Sequence, residues 1–265
     1  MPTYNTVYRT LEHLADHEAK IVREHGKDPT THGDICFDNL QHNIRQRDVR
    51  LGRETIVNIG IAATYYEIPD VDLKAFDIED KRRRLQEGKR KDLTVEQLLG
   101  FVDDKHRETV GMLQWLRVLT NYVPALQPYK EHISMLYRTR GAKQQLPICA
   151  TTIHPLATCQ KNETIITELK DAIVDFLDQT GQTSEEHHKR LILFHGDGLS
   201  YNVLLSLKQY LQFQDNEFER CEIIEPVLAM WHTAWTNLSR IFETHWGELS
   251  RCDPSTLSYL LQFSL

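Results

Sequence analysis

Two aspartates stand where short apolar runs end. Asp38 closes Gly33-Asp34-Ile35-Cys36-Phe37, and Asp197 follows Leu191-Ile192-Leu193-Phe194-His195 within Gly196-Asp197-Gly198. A carboxylate at the end of a strand projects from the carboxyl edge of a sheet, where open α/β sheets bind their ligands. Two carboxylates held close there repel each other unless a divalent cation offsets the charge, which is the arrangement of a two-metal phosphoryl-transfer site. The chemistry implied is attack on a phosphodiester assisted by Mg²⁺ or Mn²⁺. A plainer reading competes, with Asp38-Asn39 as a turn or cap and Asp197 as the N-cap of a helix.

Other residue types add further expectations. Among 13 histidines, His195, His232 and His245 fall around the second aspartate. As ligands they would suit Zn²⁺ and a phosphoesterase, but no further histidine and asparagine motif accompanies them. His195 and His232, with Asn39, are therefore expected to support the acids by hydrogen bonding. Cys149-x4-His154-x4-Cys159 offers three zinc-type ligands without a fourth, and reads as loop. Lys81, Arg82, Arg83, Arg84, Lys89, Arg90 and Lys91 form a basic run that could meet a phosphate backbone or serve as a nuclear-localisation address. The acids Asp70 to Asp80 before it allow a solvated connector instead. Trp231, Trp235, Phe242 and Trp246 recur at helical spacing and are expected to face the core.

The elements that must position these residues follow from periodicity. Residues 3 to 25 predict an amphipathic helix, and Gly33 to Asn39 a strand. An arginine-rich stretch with Arg45, Arg47, Arg50 and Arg53 leads into a second strand from Thr55 to Tyr66, a hairpin partner of the first. Thr94 and Gln97 fit a capping box for a helix running to about Asn121, and another is expected from Pro124 to Gly141. Residues 141 to 162 read as loop, so no third strand is visible. Asn162 should cap a helix that stops at Gly181. Then come the Asp197 strand, a helix from Ser200 to Phe213, a strand from Cys221 to Met230 and a helix from Trp231 to Trp246. Asp253-Pro254 would start a further helix.

Composition sets bounds on all of this. The chain has 265 residues, 40% hydrophobic and 26% charged, with only 12 glycines and 9 prolines, a globular composition rich in helix. The net charge of −7 excludes a uniformly basic nucleic-acid-coating domain. No run approaches the ~18 apolar residues of a membrane helix, and five scattered cysteines do not form a disulfide framework. An intracellular, soluble protein is expected.

Cys36-Phe37-Asp38-Asn39, Leu193-Phe194-His195-Gly196-Asp197-Gly198-Leu199-Ser200 and Ala229-Met230-Trp231-His232 together resemble an uncharacterised fungal family, domain of unknown function 6589. That family is similar in motif order to the RNase H-like cores of cut-and-paste transposases, with one acid on the first strand and one after the fourth. The resemblance implies a mixed, helix-rich α/β domain over residues 1–265, continuing past Leu265, with a helical insertion at 93–181. It implies Asp38 and Asp197 as Mg²⁺ or Mn²⁺ ligands, a third acid on a late helix (Glu243 or Glu248), DNA as partner and phosphodiester cleavage or strand transfer as ancestral reaction. A non-catalytic remnant that binds nucleic acid or protein is the alternative, and a Zn²⁺-dependent phosphoesterase a third.

Overall fold

Burial alternates along β1 (Gly33–Ile44), with Ile35 and Phe37 buried and Cys36 and Asp38 exposed. The same period buries Ile61, Ala63 and Tyr65 of β2 (Ile56–Glu67). Strands patterned this way cover a core with one face. The computed structural model describes residues 4–45, 56–143, 150–247 and 256–258. Arg47, Arg50, Arg53, Cys149, Glu248 and the Asp253-Pro254 helix start lie outside them.

The chain divides into two compact units, Met1–Asp80 with Thr151–Leu265, and Lys81–Ala150. In the first, β1 pairs antiparallel with β2 from Gly33↔Glu67 to Ile44↔Ile56, and parallel with β4 (Ile192–Gly196) through Ile35↔Phe194 and Cys36↔His195. β3 (Ile153–Pro155) pairs antiparallel with β2, and β5 (Ile224–Leu228) parallel with β4. The order is β3-β2-β1-β4-β5. The protein is thus a mixed α/β fold with a five-stranded mixed sheet.

The buried face of the sheet packs against Leu169, Ala172, Ile173, Phe176 and Leu177 of α6 (Ile166–Gln179) and Leu204 and Leu207 of α7 (Gly198–Tyr210), joined by Val22 of α1 (Tyr4–Lys27). α6 therefore belongs to the first unit, although the sequence pattern grouped it with the insertion. β3 was read as loop because three residues ending in a proline show no alternation. Its position is secured by side chains: His154 Nδ1 meets Glu18 Oε1 of α1 at 2.5 Å and its Nε2 meets Glu67 Oε1 at 2.9 Å.

The second unit carries α3 (Val95–Gly100), α4 (Asp104–Tyr122) and α5 (Lys130–Thr139), with α2 (Ile78–Gln86) crossing the division. The capping box at Thr94 and Gln97 is made in both directions. The expected single helix from there is instead two, because Asp103 accepts from His106 N and caps a new start. No helix among the described residues is long and apolar enough to cross a membrane.

The aromatic stripe departs from expectation. α8 (Met230–His245) has no buried residue, and Trp231 and Trp235 are 66% and 60% exposed. Their rings stack on each other at 5.8 Å instead of on the sheet. Helical spacing marks an apolar face but not whether that face is covered.

Two outcomes test this packing. A Cβ on Gly26 of α1 would lie 2.0 Å from the Thr180 carbonyl oxygen, whereas one on Gly111 of α4 meets nothing within 4 Å. Gly26→Ala should cost about 2 kcal/mol in urea denaturation, and Gly111→Ala should gain about 0.5–1 kcal/mol. His154 gives a pH signature. Burial disfavours its charged form, but the bonds to Glu18 and Glu67 outweigh this and raise its pKa above 6.5. Its contribution is therefore complete below the unfolded value and is lost as pH rises through the raised one. The stability gap between wild type and His154→Gln should shrink as pH rises above about 6.5; taking the difference removes the opposite trend of His188, whose burial lowers its pKa.

Candidate functional site

The carboxyl edge of the sheet is built where β1 and β4 run side by side. Their parallel pairing runs through Ile35↔Phe194 and Cys36↔His195; Asp38 comes two residues later on β1, and Asp197 directly follows β4 as the N-cap of α7. Side chains of Cys36 and Asp38 fall on one face of β1 by alternation. Asp38 is exposed, with Oδ1 accepting from Asn39 N at 2.8 Å. It lies within the strand and not in a turn.

Asp197 caps α7, Oδ1 accepting from Ser200 N at 2.7 Å. Partial burial pushes its pKa up, but the Ser200 and Leu199 contacts and nearby His232 outweigh that, so it lies below the usual carboxylate value. The helix dipole acts in the same direction. Gly196 lets the first turn of α7 come this close, since a Cβ there would sit 2.6 Å from Ser200 Cβ. The cap reading does not exclude a ligand role, because a carboxylate has lone pairs beyond the one that accepts from Ser200 N.

Below the two aspartates lies an acid that the sequence did not single out. Glu163 is 2% exposed; its Oε1 accepts from Asn39 Nδ2 at 2.8 Å and its Oε2 from Ser200 Oγ at 3.1 Å. An Asx turn fixes it locally, with Asn162 Oδ1 accepting from Thr164 N and Oγ1. Asn162 thus organises the turn before α6, which starts three residues later, at Ile166, than a cap at Asn162 would give. The only cue for Glu163 was proximity to that predicted cap.

The remaining candidates divide. His232 lies in the first turn of α8, close enough to Asp197 to lower its pKa, with a buried Nδ1 that lacks a hydrogen-bond partner. Ala229 N donates to Gly196 O at 2.8 Å and ties this turn to β4. His195 turns the other way: its Nε2 lies 3.8 Å from Asp34 Oδ2. Asp34, 1% exposed and also missed, accepts from Leu193 N at 2.9 Å and has His32 Nε2 at 3.3 Å. Burial opposes its ionisation, yet its histidine and backbone contacts hold its pKa low. Glu243 is exposed, and helix rise puts it about 16 Å along α8 from His232; it is not brought to the aspartates.

Asp38 and Asp197 supply oxygen donors of the kind Mg²⁺ takes from one or two carboxylates, the rest of its shell being water and substrate phosphate. Among the described residues no group of three or more His, Cys, Asp or Glu is placed to hold a metal ion. His154 has both nitrogens engaged by glutamates, and Cys159 forms a bridge with Ile61. Of the basic run, Lys81 to Arg84 lie on α2, where four consecutive positions point around the helix, and Lys89, Arg90 and Lys91 lie in the 3-10 turn Lys89–Asp92.

Compared with known proteins, residues 88–263 match the model of a family described as Family of unknown function (DUF6589). The match includes Glu163, Asp197, His232 and Glu243 but begins after Asp38. No curated protein and no solved structure matches the chain.

The Glu163 bridge has a measurable cost. Glu163→Ala strands Asn39 Nδ2 and Ser200 Oγ and should lower stability by about 2–4 kcal/mol in urea denaturation. Glu163→Gln, which keeps an acceptor oxygen, should lose less than half as much.

Proposed function

We propose that this chain, which belongs to the Family of unknown function (DUF6589), is a transposase-derived RNase H-like domain whose chemistry is divalent-metal-dependent cleavage or transfer of DNA phosphodiesters. The observation that carries the reading is that β1, which holds Asp38, and β4, which Asp197 directly follows, pair side by side in parallel. The order β3-β2-β1-β4-β5, with β2 antiparallel to the rest, supports it by setting the strands that lead to the two acids side by side.

In this reading Asp38 and Asp197 hold Mg²⁺ or Mn²⁺, which supplies Lewis-acid activation of water and offsets phosphate charge. The Ser200 N–H orients the Asp197 carboxylate through Oδ1. Glu163 fixes Asn39 and Ser200, the neighbours of both acids, so it is a positioning residue. The basic residues Lys81 to Lys91 would meet the DNA backbone, whose affinity then falls with salt.

A second reading, binding without chemistry, is favoured by the exposed, stacked Trp231 and Trp235, which offer a platform for a base or a protein surface. Manganese titration separates the two. Asp38→Asn and Asp197→Asn should each weaken Mn²⁺ binding at least tenfold and abolish Mn²⁺-dependent nicking of supercoiled DNA, with the fold intact by circular dichroism. Wild-type binding in either variant overturns the catalytic reading.

A further inference from the structure

In a helical hairpin the facing positions at i, i+3, i+4 and i+7 are the ones that normally fill with apolar side chains. Between α4 and α5, Leu113 and Ile133 are buried in this way, but the positions beside them are polar. α4 contributes Arg117, Thr120 and Asn121; α5 contributes Lys130, Ile133, Ser134, Tyr137 and Arg138, and together they line a cavity of about 380 Å³. Ile133 is the one aliphatic residue in that lining. The cavity lies wholly within the second unit.

Its charge is one-sided. Three cations line it and no carboxylate does. Among the described residues neither Arg117 nor Lys130 makes an ion pair; Arg117 instead lies over the Tyr137 ring at 5.8 Å from its centre. Lys130 opens α5, so the positive end of that helix adds to the same field. Like charges held around one cavity repel, and an anion that enters relieves the repulsion and gains charge-assisted hydrogen bonds. Ser134 and Asn121 add neutral polar groups of the kind that orient a bound ester. The volume exceeds what a bare phosphate needs and falls in the range of small-molecule sites.

We propose that this cavity binds a nucleoside phosphate, with Arg117 and Lys130 at the phosphate and the volume beside Tyr137 holding the nucleoside. The inference does not depend on the Asp38 and Asp197 reading and stands if those residues bind no metal. The source is either a free mononucleotide or a nucleotide of a single strand, which share this chemistry.

Isothermal titration of the full chain tests it with AMP, adenosine, inorganic phosphate and a short single-stranded oligodeoxynucleotide. AMP should bind at least tenfold more tightly than adenosine, and the pair Arg117→Gln with Lys130→Gln should weaken AMP at least tenfold with an unchanged circular dichroism spectrum. Tyr137→Leu, which keeps the cations, should weaken AMP while leaving inorganic phosphate unchanged. An oligonucleotide that binds more tightly than AMP, and loses that advantage in the Arg117→Gln, Lys130→Gln chain, identifies a nucleic-acid strand as the source; AMP as the tighter ligand identifies a free nucleotide. Adenosine binding as well as AMP, undiminished AMP binding in the double variant, or no AMP binding at 10 mM overturns the proposal.

Discussion

Glu163 brings two acceptor oxygens into a site almost closed to water, and both are used, one by Asn39 on β1 and one by Ser200 on α7. A buried carboxylate is tolerated only when hydrogen-bonded in this way. The bridge crosses 124 residues on one side and 37 on the other, so it joins three segments that the chain itself keeps apart. It holds a neighbour of each aspartate. Asn39 follows Asp38 directly, and Ser200 supplies the N–H that holds Asp197.

Much of this arrangement could be read from residue patterns. The β1–β2 hairpin, the Asp197 strand with its following helix, and the capping box at Thr94 all announce themselves through local periodicity or capping chemistry. What stayed hidden was non-local. β3 is three residues long and held by His154 between Glu18 and Glu67, so no window of sequence contains its cause. Glu163 looks like any acid near a helix start, and Asp34 like any strand residue, until the fold supplies their partners. The stripe from Trp231 to Trp246 shows the opposite failure, a strong local pattern whose burial depends on what lies against it.

The charge balance also looks different once placed on the fold. A net −7 conceals a cationic hairpin cavity in the second unit and the carboxylates Asp34, Asp38, Glu163 and Asp197 in the first. Neither shows in an average over the chain, because electrostatic fields act within about a Debye length of roughly 8–10 Å. Two units of opposite local character can therefore coexist in one mildly acidic protein.

The β1–β2 hairpin reaches well past the sheet that anchors it. β4 pairs β1 only at Ile35 and Cys36, and β3 pairs β2 only at Thr64 to Tyr66. Among the described residues, Leu40 to Ile44 and Ile56 to Gly60 pair with each other alone, and Leu40, Ile44, Ile56, Val57 and Ile59 are exposed. Each strand there has one outward row of backbone N–H and C=O groups without a neighbouring strand. Such a ribbon is a template for strand addition, by another chain or by a second copy. The colloidal behaviour of the protein in concentrated solution is thus tied to this ribbon, whatever chemistry the sheet edge performs.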